Sequence, residues 1–252
     1  MSLVKLFNGN CLEILPNLKA DFIITSPPYN MNLRIFADKY KSRRSYKNSK
    51  NEFLIATKYQ SYLDDLSIDD YFEFQKSFLE SALEISKTVF YNIQMITGNK
   101  PALMKLLGYF ADKVKEIIIW NKINSQPAIN SGTLNSQFEF IFVLSNEKPF
   151  NRKFDNCNFK RGTLSNVWNI KSEDNPYIKA GFPKELVRKI LINFTNENDI
   201  ILDPFMGSGT TGIVCIEQKR KFIGIEIDKE MFGIAEKRIL DAEHNANIFE
   251  NI

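Results

Sequence analysis

Histidine is almost missing from this 252-residue chain: the one present, His244, lies in the polar C-terminal tail. Ser-His-Asp triads, histidine-zinc centres and histidine general bases all need imidazole, so the chemistry must proceed without it. Cysteine is scarce as well. Cys11, Cys157 and Cys215 lack paired or metal-like spacing, which predicts reduced thiols, a cytoplasmic setting and no metal site. No run of about 18 apolar residues occurs, so no membrane-spanning helix is expected. The opening stretch, MSLVKLFNGN, has neither the basic start nor the long apolar stretch of a signal peptide. Internal repeats and low-complexity tracts are absent too.

What is present suits a folded domain. Hydrophobic residues make up 44% and charged residues 25%, enough to bury a core in one large domain, here taken as residues 1–252, with room for an insertion. Apolar runs read as strands over 3–10, 21–26, 88–94, 116–122, 138–146, 199–205 and 221–227. Helical spacing appears over 11–18 (broken at Pro16), 68–87 behind a Ser67 cap, 101–113, 183–195, 210–219 and 229–243. Strands alternating with helices of this length predict an α/β fold with a largely parallel sheet. Residues 30–66 and 147–181 are polar with poor periodicity.

The net charge of +3 is small, but its distribution is uneven. The segment KYKSRRSYKNSK carries Lys39, Lys41, Arg43, Arg44, Lys47 and Lys50, with Tyr40 and Tyr46 between them and no acid. Such a run neutralises phosphates and stacks on bases; the plain alternative is a solvated loop.

Two stretches carry chemistry. Residues 199–228 read strand, glycine-rich turn, helix and strand, with Asp203, Pro204, Phe205, Gly207, Ser208, Gly209, Thr210 and Thr211 at the turn and Glu226 on the second strand. Glycines let a backbone approach a ligand, and an acid at the next strand end accepts ribose hydroxyls. The second stretch is Ser26-Pro27-Pro28-Tyr29-Asn30, which closes a hydrophobic strand. By itself it is a rigid strand-ending turn.

Taken whole, DPFMGSGTTG resembles the S-adenosylmethionine-binding motif of amino-group DNA methyltransferases, and TSPPYN resembles their catalytic motif. The order, catalytic motif first, resembles the beta class and not the glutamine methyltransferases that share an Asn-Pro-Pro-Tyr. NGNCLEILPNL, with Asn10 and Cys11, resembles the segment lining the cofactor's adenine, although Asn10 stands where Asp is common. KAGFPKELVRKIL, with Phe182 and Pro183, resembles the segment over the methionine end. The resemblance covers roughly residues 3–30 and 116–245.

The resemblance implies a Rossmann-like methyltransferase fold with a mostly parallel central sheet flanked by helices. It implies S-adenosylmethionine as cofactor, double-stranded DNA as partner and a possible homodimer. A restriction-modification setting follows from the same likeness. Target recognition is expected in inserted segments 31–66 and 123–180, with Lys39, Lys41, Arg43, Arg44 and Lys47 contacting DNA and Lys160 and Arg161 adding phosphate contacts. An exocyclic amino group is a poor nucleophile because its lone pair is delocalised into the ring. Two acceptors, Ser26 Oγ and the Pro27 carbonyl, would bind its hydrogens and localise that pair. Consecutive prolines fix where the carbonyl points, and Tyr29 would stack on a flipped base. Ser at the first position leans towards cytosine N4 and Asn after the Tyr towards adenine N6; adenine N6 is favoured here, with cytosine N4 the alternative. An RNA methyltransferase and an inactive DNA-binding protein are the more distant readings. Asp228 is expected to cap the last helix.

Overall fold

The structure is a computed structural model that describes residues 3–30, 35–36, 39–40, 66–125, 131–147, 151–154, 157–173, 181 and 183–250. Among the described residues, ten strands and six α-helices follow in this order: β1 (Val4–Asn8), α1 (Cys11–Ile14), β2 (Phe22–Thr25), β3 (Ile35–Phe36), β4 (Lys39–Tyr40), α2 (Ile68–Ile85), β5 (Thr88–Ile93), α3 (Lys100–Tyr109), β6 (Val114–Asn121), β7 (Phe138–Ser145), β8 (Val167–Asn169), α4 (Lys184–Phe194), β9 (Ile200–Asp203), α5 (Thr210–Glu217), β10 (Lys221–Glu226) and α6 (Lys229–Glu250). Pro16 breaks the α1 segment into a 3₁₀ turn over Leu15–Asn17, because proline removes a helical donor. Helix α2 starts where Ser67 Oγ accepts the Asp70 amide at 3.1 Å. Its residues Tyr71, Gln75, Phe78, Leu79, Ala82 and Leu83 form one buried face, as helical spacing requires. None of the helices among the described residues is long and apolar enough to cross a membrane.

Eight strands form one sheet in the order β1-β10-β9-β2-β5-β7-β6-β8. Pairing is parallel except on the two sides of β7, which runs antiparallel to β5 and β6. The sequence pattern predicts the parallel majority; it is blind to this reversal and to β8, which is three residues long. Strands β3 and β4 make a separate two-stranded hairpin. Buried side chains on one face of the sheet join α4, α5 and α6 through Leu186, Val187, Ile190, Val214 and Ile239. On the other face Leu15, Phe78, Leu79, Leu103 and Leu106 join the first turns, α2 and α3.

The chain leaves β2 towards β5 and leaves β9 towards β10, so connections diverge from the neighbouring pair β2 and β9. A crevice at the C-terminal ends of such a pair is where open α/β sheets bind ligands.

Arg220 locks the opposite edge. It is 7% exposed, and its guanidinium donates to Thr195 Oγ1 at 3.0 Å, the Thr195 carbonyl at 2.8 Å and the Leu191 carbonyl at 3.2 Å. Both carbonyls lie at the end of α4 and have further donors: the Leu191 carbonyl accepts the Thr195 amide and hydroxyl, and the Thr195 carbonyl accepts Asn158 Nδ2. Arg220→Ala removes the charged donor from this cluster and should cost about 3 kcal/mol in urea unfolding; a loss under about 1 kcal/mol would show that the other donors hold the cluster without the guanidinium.

Candidate active site

Strand β2 ends at Thr25 and β9 at Asp203, and their side chains meet. Thr25 Oγ1 donates to Asp203 Oδ1 at 2.7 Å, Thr211 Oγ1 donates to Oδ2 at 2.6 Å, and the Phe205 amide donates to Oδ1 at 3.2 Å. The carboxyl is buried, and burial pushes its pKa up to about 6 against the lowering effect of those three hydrogen bonds. Asp203 thus ties the strand that leads into Ser26 to the turn that leads into α5.

That turn needs its glycines. Gly207 and Gly209 have φ of 51° and 81°, the left-handed region that glycine enters without a Cβ penalty. A Cβ on Gly209 would also lie 2.9 Å from Ile239 Cδ1 and 3.2 Å from Ala235 Cβ, so α6 packs directly against the turn. Pro204 precedes it, Ser208 is fully buried, and Thr210 and Thr211 open α5. The first amides of that helix have no intrahelical acceptor and form an anion-binding end. Phe205 sets its ring edge-on to Phe78 and Phe74, with centroids 4.9 and 6.0 Å apart, which anchors the turn on α2.

Glu226 closes the other side. Its Oε2 accepts the Gly207 amide at 3.0 Å and its Oε1 the Asp228 amide at 2.9 Å. Burial pushes its pKa up to about 7. A carboxylate has about four acceptor positions, and two are filled here, so capacity remains for a ribose diol. Asp228 Oδ1 accepts the amides of Glu230 and Met231, each at 3.0 Å, capping α6 as the sequence predicts. From β1, the Gly9 amide donates to the Glu226 carbonyl at 3.0 Å. Asn10 then caps α1 by accepting the Leu12 amide at 3.1 Å. The buried Cys11 thiol is pushed up to about 12, chiefly by burial, with the Glu226 charge adding to it. The residues expected to hold S-adenosylmethionine therefore converge at three adjacent strand ends. An anion-binding helix start beside a carboxylate with spare acceptor capacity fits the zwitterionic and ribose ends of that group.

Beyond Thr25 the backbone is held from several directions. The Pro28 carbonyl accepts Tyr71 Oη at 2.7 Å and Gln75 Nε2 at 3.3 Å, and the Tyr29 carbonyl accepts Asn99 Nδ2 at 2.7 Å. Among the described residues the Pro27 carbonyl has no such donor. Asn30 sits at φ 55°, and its side chain is committed to backbone. Its Nδ2 donates to the carbonyls of Leu66 and Gly98 at 3.0 and 2.9 Å, and its Oδ1 accepts the Leu66 amide at 2.8 Å.

Ser26 Oγ lies 2.9 Å from Tyr29 Oη. Tyr29 Oη donates to Glu139 Oε2 at 2.8 Å, and Asn92 Nδ2 donates to Tyr29 Oη at 2.8 Å and to Glu139 Oε2 at 2.7 Å. Lys122 Nζ forms an ion pair with Glu139 Oε1. The tyrosine is only 5% exposed, so its ring does not present the open stacking face expected from the sequence. Burial, then the Glu139 charge, raise its pKa well above the ordinary tyrosine value. Sequence reading missed Asn92, Lys122 and Glu139. Glu139 is the one acid inside the run FEFIFVLS, and a carboxylate buried in an apolar strand was the available signal.

The basic run falls mostly outside the described residues: Lys41, Arg43, Arg44 and Lys47 lie there, and of Lys39 only the backbone is described, in β4. Phe182 lies outside as well, while Pro183 is the N-cap residue just before α4. Lys160 and Arg161 are exposed and lie towards the sheet edge away from Ser26. Phe159 packs on Phe194 at 5.4 Å, at the end of α4 that feeds the start of β9, whereas Ser26 follows the end of β2. Of the 123–180 segment, the described parts that reach the catalytic edge are 123–125, 131–137 and 170–173, which follow β6, precede β7 and follow β8.

The two raised carboxyls set the pH response of the ligand-free protein. A carboxyl with a raised folded pKa stabilises the fold while protonated; that contribution is full below the ordinary carboxylate range and is lost as pH rises through the folded value. Thermal stability should therefore fall between about pH 5 and 8. Glu226→Gln should remove roughly 3 kcal/mol of that dependence, from a shift of 4.5 to about 7. An unchanged slope in Glu226→Gln would contradict the assignment.

Comparison with known proteins agrees with this geometry. The family model for N6 and N4 methyltransferases, described as DNA methylase, matches residues 20–237. M2.DpnII of Streptococcus pneumoniae is 28% identical over 256 residues, covering 96% of this chain and 94% of the relative. M.Cfr9I of Citrobacter freundii is 32% identical over 136 residues, 51% of this chain, and the match spans only 45% of that relative's length. The solved M1.HpyAVI–SAM complex is 25% identical with a TM-score of 0.61, covering 94% of this chain and 98% of that one. The cytosine-N4-specific PvuII DNA methyltransferase, 18% identical with a TM-score of 0.67 over 98% and 93% of the two chains, shares the fold. With the family model spanning most of its length and both motifs meeting at one sheet edge, the chain belongs to the N6/N4 DNA methylase family.

Proposed function

We propose that this protein transfers a methyl group from S-adenosylmethionine to the exocyclic amino group of a base flipped out of double-stranded DNA, in a cytoplasmic restriction-modification setting. The observation that carries the reading is the Thr25–Asp203 hydrogen bond of 2.7 Å, which couples the Ser-Pro-Pro-Tyr turn to the glycine turn. Glu226 would accept the ribose hydroxyls, and the start of α5 would receive the carboxylate end. Phe205, Asn10 and Cys11 would wall the cofactor, with Asp203 shaping the turn rather than touching the ligand, since its oxygens already serve Thr25, Thr211 and Phe205. When bound, the cofactor supplies an electrophilic sulfonium methyl.

The chain's own part is positioning and polarisation. Ser26 Oγ and the Pro27 carbonyl accept the two amino hydrogens, so the nitrogen becomes tetrahedral and its lone pair is freed from the ring. The Pro28 carbonyl is held by Tyr71 and Gln75, which leaves the preceding carbonyl as the acceptor facing the base. Lys39, Lys41, Arg43, Arg44 and Lys47 would bind phosphates. The lean towards adenine N6 comes from Asn30 after the Tyr. Because that side chain is spent on Leu66 and Gly98, it is explained without a base, and cytosine N4, the reading that Ser26 favours, stands as the second.

Ser26→Ala should lower methyl transfer by about 100-fold or more while S-adenosylmethionine binding, read by titration calorimetry, stays within about twofold. Affinity for that cofactor should rise as pH increases through about 7, because ionised Glu226 is the better acceptor for hydroxyl donors, and Glu226→Gln should flatten that rise. Expression in a methylation-free host, followed by modification-sensitive sequencing, identifies base and site; unmodified DNA together with absent cofactor binding would defeat the reading.

A further inference from the structure

A methylated amino nitrogen must shed a proton, and the structure offers a path for it. We propose that Ser26, Tyr29 and Glu139 form a one-way proton relay, with Glu139 as its terminal acceptor. This rests on the methyltransferase reading above.

The direction of the chain follows from donor and acceptor capacity. Glu139 is ion-paired with Lys122, and an ionised carboxylate only accepts. The 2.8 Å contact is therefore Tyr29 O–H donating to Glu139. With that proton committed, the 2.9 Å contact must be Ser26 O–H donating to Tyr29 Oη. Ser26 Oγ also accepts Asn92 Nδ2, at a long 3.5 Å; a hydroxyl oxygen has two lone pairs, so one acceptor position is left for an amino group. Asn92 fixes the arrangement. Its Nδ2 serves both Tyr29 and Glu139, and it does so although its own Oδ1 is left buried without a partner. An orphaned buried acceptor costs about 1–3 kcal/mol, so the amide is held in this orientation by the carboxylate.

The step balances. The nitrogen lone pair forms the new N–C bond, and the sulfur–carbon pair stays on sulfur. The N–H pair returns to nitrogen as its proton passes to Ser26 Oγ; the serine proton moves to Tyr29 Oη and the tyrosine proton to Glu139 Oε2. The products are the methylamino base, the thioether and a neutral Glu139 carboxyl, while Ser26 and Tyr29 are unchanged in charge. The titratable and charged groups facing Glu139 among the described residues are Lys122 and Tyr29. Lys122, its side chain 15% exposed against 7% for Glu139, is the more open partner of the pair, and the proton leaves on its side after turnover.

Glu139 touches no substrate atom, so its role is to receive and position through Tyr29. The test is single-turnover methyl transfer to duplex DNA by the full chain, with cofactor and DNA affinity and thermal midpoint measured alongside. Glu139→Gln and Tyr29→Phe should each slow the transfer step by about 100-fold, leave both affinities within about twofold, and lose the solvent deuterium isotope effect of the wild type. The double variant should be no slower than the slower single one, because both break the same chain. Wild-type rates and isotope effects in both variants would overturn the relay. So would independent, additive losses that follow DNA affinity or thermal midpoint, which would assign Glu139 a structural role. If one variant fails to fold, the other still decides, since either break interrupts the path. No transfer by the wild type would instead overturn the methyltransferase reading itself, which the sequencing experiment detects separately.

Discussion

The site depends on one buried carboxylate. Asp203 sits at the end of β9, 2% exposed, and gathers a hydroxyl from Thr25, a hydroxyl from Thr211 and the Phe205 amide. No cation is among these partners. Burying an acid against neutral donors is costly, which is why its pKa rises to about 6. What the arrangement gains is coupling. Thr25 directly precedes Ser26, and Thr211 lies in the first turn of α5, so one side chain fixes the distance between the segment that would bind the base and the segment that would bind the cofactor. Methyl transfer needs its two reacting atoms held about 3 Å apart and in line, and a drift of either turn would lose that alignment.

The reversal of β7 completes the other half. In a wholly parallel sheet, only residues at the ends of strands reach the catalytic edge. Because β7 runs against β5 and β6, its beginning lies there instead, and Glu139, its second residue, is delivered beside Asn92 near the end of β5 and Lys122 just past the end of β6. The hydroxyls of Ser26 and Tyr29 thus meet an ion pair built at the consecutive strands β6 and β7, with Glu139 110 residues on from Tyr29. The edge carries two separate polar systems. One, around Asp203 and Glu226, uses backbone amides and hydroxyls on raised carboxyls. The other, around Glu139, is a charged pair that leads to solvent.

The sequence revealed most where local chemistry is demanding. Gly207 and Gly209 at positive φ, Ser67 as a helix cap, Asp228 as another and the Pro27–Pro28 turn each announce themselves, since few residues can do those jobs. The alternation of strands and helices made the sheet legible. Strand direction was not: the run FEFIFVLS reads as a buried strand whichever way it points. That single ambiguity hid Glu139, and it left the edge on which Lys160 and Arg161 lie unread. Asn30 was illegible for a different reason. Its partners, Leu66 and Gly98, are 36 and 68 residues away. Its left-handed backbone, which asparagine tolerates well, explains its presence without any ligand.

The near-absence of histidine constrains how such a site can manage its proton. A serine hydroxyl is too weak a base to keep a proton, and the buried Tyr29, its pKa raised well above the ordinary value, resists giving one up for good; each can only pass it on. A path of two hydroxyls therefore needs a true acceptor at its end, close enough to bond and charged enough to take the proton. Glu139, paired with Lys122 and bonded to Tyr29, is the carboxylate placed to do so. Imidazole at the base itself would combine acceptor and contact in one group, but it would also bring a competing nucleophile within reach of a sulfonium methyl. Hydroxyls and a carbonyl at the contact, with the carboxylate set one tyrosine away, keep the strong acceptor and the electrophile apart.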